Sequence, residues 1–176
     1  TQNVTAPSTV GDTAAGTLSI SGAGTTLNMF DGVTPDAFLR VGNGGTGRAV
    51  INDFGTLNLT ATNPTSDDAF LFISATPFNS GPSQNGTLVM GDDPNTGAVE
   101  NTGFMSLTAR DDAVVSVGRN GVGDLLMTNS SMTVTSLGSA VGAAALIELG
   151  ASTVGNAVGS FTATNSNILV EGQGVA

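Results

Sequence analysis

A chain of 176 residues with 14 acidic and 4 basic side chains carries a formal charge of −10, and its four cations are Arg40, Arg48, Arg110 and Arg119. Histidine, lysine, cysteine, tryptophan and tyrosine are absent. That excludes a Ser–His–Asp triad, a thiolate nucleophile, an ordinary zinc site and a Schiff-base or phosphate-loop lysine. An acidic chain also has little with which to neutralise phosphates, so no nucleic-acid partner is expected.

Along the chain one pattern recurs. Segments 10–16, 41–47, 90–97, 117–123 and 154–159 each begin with an apolar residue and glycine and close on a second glycine. Two residues after the closing glycine stand Leu18, Ala49, Val99, Leu125 and Phe161; four after it stand Ile20, Ile51, Asn101, Met127 and Ala163. This period of two marks a strand with one buried face. Six residues on come Gly22, Asp53, Gly103, Asn129 and Asn165, residue types that tolerate a left-handed corner. A second strand follows each corner, in Leu27/Met29, Leu57/Leu59, Met105/Leu107, Met132/Val134 and Ile168/Val170. A third precedes the first glycine, at 38–41, 87–90, 114–117 and, a few residues early, 146–149.

With Gly11, Gly42, Gly91, Gly118 and Gly150 as markers the spacings are 31, 49, 27 and 32 residues. Three short strands per repeat, turned by Gly and Asn, describe one coil of a right-handed parallel β-solenoid (β-helix) of about five to six coils, in a single domain over residues 1–176. An antiparallel sandwich would not repeat the same register. The long second interval predicts a loop insertion at 61–86, anchored by the apolar run Ala69-Phe70-Leu71-Phe72-Ile73; a degenerate extra coil is the alternative. No helix longer than two turns is expected. The longest apolar run, residues 143–147, is far short of the roughly 18–20 residues of a membrane span, so no transmembrane segment is expected. No basic and then apolar leader opens the chain, so any signal peptide is expected to be already gone. A lack of cysteine excludes a disulfide framework and leaves export open.

Residues 117–135, Val-Gly-Arg-Asn-Gly-Val-Gly-Asp-Leu-Leu-Met-Thr-Asn-Ser-Ser-Met-Thr-Val-Thr, resemble the VGxxGxGxLxIxNGGxVxV repeat of bacterial exported β-helices. Such repeats occur in autotransporter passengers and in proteins carrying a PEP-CTERM sorting signal; residues 41–59 and 154–170 are weaker copies. The resemblance implies export, an extracellular or cell-surface location, and structural or adhesive work.

Candidate chemistry is sparse, and no catalytic residue is assigned. Acidic pairs stand at Asp67-Asp68, Asp92-Asp93 and Asp111-Asp112. Arg110 beside Asp111 and Asp112 is the cluster a polysaccharide lyase or glycosidase would use. Asp92, Asp93 and Asn95 gather oxygen donors of the kind calcium takes. The glycine-rich 42–47 and 118–123 lack the lysine and the following helix of a phosphate loop, and read as corners. Thr-x-Thr at 60–62, 133–135 and 162–164 would suit an ice-binding face, or an ordinary outer strand face. Neither end shows a capping helix, so copies are expected to continue end to end or exchange a strand, giving a homo-oligomer or polymer with possible polysaccharide or cell-surface contact; a fragment of a longer passenger, continued by further coils, is the alternative.

Overall fold

A computed structural model describes residues 1–5, 8–11, 14–31, 36–62, 68–74, 85–94, 96, 101–138, 142–150 and 157–173. Among these residues every regular element is a strand. They are β1 (Gln2–Thr5), β2 (Ser8–Val10), β3 (Gly16–Ser21), β4 (Thr26–Phe30), β5 (Ala37–Val41), β6 (Thr46–Asn52), β7 (Thr56–Ala61) and β8 (Ala69–Ile73). There follow β9 (Asn85–Met90), β10 (Phe104–Ala109), β11 (Ala113–Val117), β12 (Val122–Thr128), β13 (Ser131–Ser136), β14 (Ala145–Leu149), β15 (Val158–Thr164) and β16 (Asn167–Gly172).

Every third strand pairs with its counterpart one coil away. The first sheet runs β1-β4-β7-β10-β13-β16, the second β2-β5-β8-β11-β14 and the third β3-β6-β9-β12-β15, and all described pairings are parallel. The chain is an all-β parallel solenoid with three strands per coil. Because the register never slips, like side chains stack into internal columns. Leu27, Leu57, Met105, Met132 and Ile168 form one, and Leu18, Ala49, Leu88, Leu125 and Phe161 another. The second sheet adds an alanine column at Ala37, Ala69, Ala113 and Ala145, small because the chain has just turned inward from the first sheet. Inward residues of the middle coils are fully buried, each large aliphatic worth about 2 kcal/mol relative to exposure.

The glycine pairs have a steric reason. At each corner between the second and third sheets the residue after the strand has positive φ: Gly11 (74°), Gly42 (80°), Ser74 (59°), Gly118 (74°) and Gly150 (64°). In the last four, its N–H donates to a carbonyl in the preceding coil, at 2.7–2.9 Å for Gly42, Ser74, Gly118 and Gly150. The second glycine packs on that same junction. A Cβ on Gly47, Gly86, Gly123 or Gly159 would lie 2.1–2.6 Å from the corner nitrogen and 2.2–2.5 Å from the accepting carbonyl oxygen. The repeat motif is therefore one hydrogen bond plus the space it leaves.

Two expectations are corrected by this register. Gly86, not Gly97, pairs with Gly47 and Gly123, so Leu88 and Met90 occupy the core columns that Val99 and Asn101 were expected to fill. Val99 lies outside the described residues. The error arose because Ser74 stands where the other coils have glycine. Residues 61–86 are likewise no insertion as a whole: 69–73 form β8, an ordinary rung between β5 and β11 with Ala69, Leu71 and Ile73 buried. The extra length lies in two connections. Eleven residues separate β8 from β9, where four separate β5 from β6; thirteen separate β9 from β10, where three separate β6 from β7. In the last coil Gly150 takes the corner, and Val154 and Gly155 lie outside the described residues.

Candidate functional site

Of the five corner residues expected between the third and first sheets, Gly22 (100°), Asp53 (49°), Asn129 (51°) and Asn165 (50°) have positive φ. Gly103 does not; it abuts the Ile51 carbonyl oxygen, 2.1 Å from where a Cβ would sit, and Gly91 (81°) takes the left-handed turn of its coil. Polar side chains lace these corners together. Asp53 accepts from Ser21 Oγ at 3.1 Å and from both the backbone N–H and the amide of Asn101 at 3.2 Å. The Asn101 backbone N–H, then the Ser21 hydroxyl, hold the Asp53 carboxyl below its ordinary range. One corner further, the buried Ser130 hydroxyl donates to the Thr128 carbonyl at 2.8 Å and accepts from the Gly103 N–H at 3.1 Å. Ser166 does the same for Thr164 and the Ser130 N–H, at 2.9 and 3.2 Å.

The acidic pairs are divided between structural tasks. Asp68 Oδ1 accepts from the Asp112 N–H at 3.0 Å, and Asp112 Oδ1 from the Ala144 N–H at 2.9 Å. These carboxylates climb the corner between first and second sheets, closing the start of each next strand. Burial, the largest cause, raises the Asp68 carboxyl above its ordinary value; the Asp112 N–H opposes this, while the charges of Asp36, Asp112 and Asp111 add to it. Asp111 accepts from the Ser136 hydroxyl through its backbone carbonyl, and Arg110 is exposed. The three residues expected to form an enzyme-like cluster are adjacent, but both Asp112 and its neighbour Asp68 spend an oxygen on the backbone.

Asp93 is 94% buried and ion-pairs with Arg48 on the outer side of β6. Thr96 closes the turn, its N–H and hydroxyl each 3.1 Å from the Asp93 carbonyl. Arg48 thus pins the long β9–β10 connection to the third sheet. Asp92 is half-buried and Asn95 lies outside the described residues. Among the described residues no group of three or more acidic side chains is gathered as a metal would require. Beside this turn a cavity of about 300 Å³ opens between Asp92 and Pro94 on one wall and Leu126, Thr128 and Thr162 on the other.

Reasoning from sequence missed an arginine–aromatic cluster on the outer face of the second sheet. Arg40 lies 4.3 Å over the Phe38 ring, Arg119 lies 5.6 Å from Phe72, and Phe70 stacks on Phe72 at 5.3 Å. The signal was present in the identical tetrapeptides 36–39 and 68–71, Asp-Ala-Phe-Leu, which stack directly on each other. The three Thr-x-Thr motifs do not share one face: Thr133 and Thr135 project from the first sheet with Thr60, and Thr162 and Thr164 belong to the third.

At the β14–β16 end, residues that continue core columns are open. Leu149, Ile168 and Val170 are 51%, 38% and 42% exposed, where their counterparts Val117, Met132 and Val134 in the coil below are fully buried. Compared with known proteins, the chain matches no family model, no curated protein and no solved structure.

Proposed function

We propose that the chain is a structural element of an extracellular or cell-surface assembly, working by self-association of solenoids rather than by catalysis. The single observation that carries this reading is the exposure of core-column residues on the β14–β16 coil, a surface that calls for a further coil, from this chain or from a second copy. Leu149, Ile168 and Val170 continue core columns and stand exposed on β14 and β16, each the outermost described strand of its sheet. Exposed apolar residues next to free backbone donors and acceptors favour addition of another strand or coil. The bacterial surface repeats that residues 117–135 resemble supply the setting, export and a place on the cell surface or in a matrix. A lyase or glycosidase finds less support, because the carboxylates of Asp68 and Asp112 are engaged with backbone N–H groups.

Sedimentation velocity over a range of concentrations, with electron microscopy of the same samples, tests the reading. Concentration-dependent oligomers or filaments are expected, abolished by Ile168→Asp with Val170→Asp while the urea midpoint of the lower coils is kept. A monodisperse monomer at every concentration, with and without calcium, would overturn it.

A further inference from the structure

The outer face of the first sheet carries a separate set of features. Within its six strands the outward side chains described are Asn, Thr and Ser, with Phe30, Phe104, Leu169 and one charged residue, Glu171 on the last strand. Three asparagines in one column are tied into a ladder: Asn28 Nδ2 donates to Asn3 Oδ1 at 3.0 Å, and Asn58 Nδ2 to Asn28 Oδ1 at 2.8 Å. Ser106 and Thr133 continue that column, and Thr60, Thr108 and Thr135 run parallel in the next. Each ladder bond uses one N–H of an amide that has two, and fixes the plane in which the other points. A ligand meeting these amides finds them already ordered.

The aromatic rings are distributed unevenly. Among the described phenylalanines, only Phe30 (39%), Phe54 (47%) and Phe104 (38%) are exposed. Phe30 and Phe104 lie on this face, and Phe54 sits at the corner leading into it, while Phe38, Phe70 and Phe72 belong to the second sheet and Phe161 packs on the core. Phe54 also has φ of 67°, a conformation that costs a bulky side chain of order 1–3 kcal/mol. The chain therefore spends stability to present a ring to solvent there. From the ordinary rise and strand spacing of a parallel sheet, Phe30 and Phe104 stand about 16 Å apart, with the asparagine ladder between them.

We propose that this face binds a neutral polysaccharide. The C–H faces of sugar rings stack on Phe30, Phe104 and Phe54, and ring hydroxyls exchange hydrogen bonds with the Asn58 and Asn28 amides and the flanking hydroxyls. Charge selects the class: the strands of this face offer no cation to a carboxylate or sulfate, and a chain of net charge −10 repels acidic glycans. The site is independent of the open solenoid end, so either property stands without the other.

Affinity electrophoresis through gels containing β-glucan, xylan or polygalacturonate, with calorimetry against cellohexaose, tests the assignment. At least one neutral polymer retards the chain, polygalacturonate does not, and added salt leaves the retardation unchanged. Phe30→Ser with Phe104→Ser weakens binding by about tenfold or more, whereas Phe70→Ser on the second sheet does not. Should the double variant prove less stable, Phe104→Thr alone, the residue its column carries at Thr56, shows the same loss in smaller measure. No retardation by any neutral glycan, preference for polygalacturonate, or full binding by the phenylalanine variants overturns the proposal.

Discussion

Replacing Gly123 by alanine isolates the close approach that defines the repeat. The new Cβ would lie 2.3 Å from the Gly118 nitrogen and 2.5 Å from the Ile73 carbonyl oxygen, both backbone atoms in a 2.7 Å hydrogen bond to each other. No rotamer relieves such a contact; two coils must separate. Losing the bond and stranding a buried group costs about 1–3 kcal/mol, and overpacking adds roughly 1–3 kcal/mol. A total near 4 kcal/mol is a large part of the roughly 5–15 kcal/mol that holds a domain folded. Gly24→Ala is the control: its φ is 79° but no atom lies within 4 Å of the added Cβ, so only left-handed strain of about 1 kcal/mol is expected. Urea unfolding followed by circular dichroism reads both. Because coils interact chiefly with their neighbours, Gly123→Ala should also split the transition and lower its slope. A Gly123→Ala loss no larger than that of Gly24→Ala would refute the steric account of the second glycine.

Two further substitutions probe the polar contacts. Arg48→Ala removes the guanidinium that ion-pairs with the buried Asp93 carboxylate and is expected to cost about 2 kcal/mol, whereas Arg48→Ala with Asp93→Ala costs less than Arg48→Ala alone; a double-mutant cycle by urea titration checks this. Asp68→Asn keeps an acceptor for the Asp112 N–H while removing a charge. Since the folded-state pKa of Asp68 is raised, its contribution is complete below the unfolded value and is lost as pH rises through the folded one. Asp68→Asn should therefore be more stable than the wild type at neutral pH, by roughly 0.5 kcal/mol after solvent screening, and lose that advantage below the ordinary aspartate range. Asp53, with a lowered pKa, works in the opposite sense: its stabilisation is present above the unfolded value and fades as pH falls through the folded one.

Periodicity made the coil legible, because a parallel stack repeats its corner geometry and each corner admits few residue types. Gly11, Gly42, Gly118 and Gly150 announced themselves for that reason. The third coil stayed hidden because Ser74 adopts the same left-handed turn with a side chain, and because Met90-Gly91 imitates the motif at a different corner. Asp36-Ala37 and Asp68-Ala69 would have corrected the alignment, had the small alanine been read as the mark of a strand entering a narrow interior. The roles of Asp68, Asp93 and Asp112 were beyond local reading. Each depends on an atom one coil away, 32 to 45 residues distant in sequence. Exposure at Phe30 and Phe104, by contrast, follows from the register of Leu27/Met29 and Met105/Leu107, which turns their immediate neighbours outward.

Hydrogen bonds between coils run parallel to the solenoid axis, while the backbone itself runs around it. β1 and β16 occupy the two edges of the same sheet, five rungs or about 24 Å apart. Tension applied to those two strands along the axis would load one rung at a time and peel the stack like a wound ribbon. The same pull directed across the axis would meet a whole row of ladder bonds in shear. A pull across the axis is therefore resisted more strongly than a pull along it.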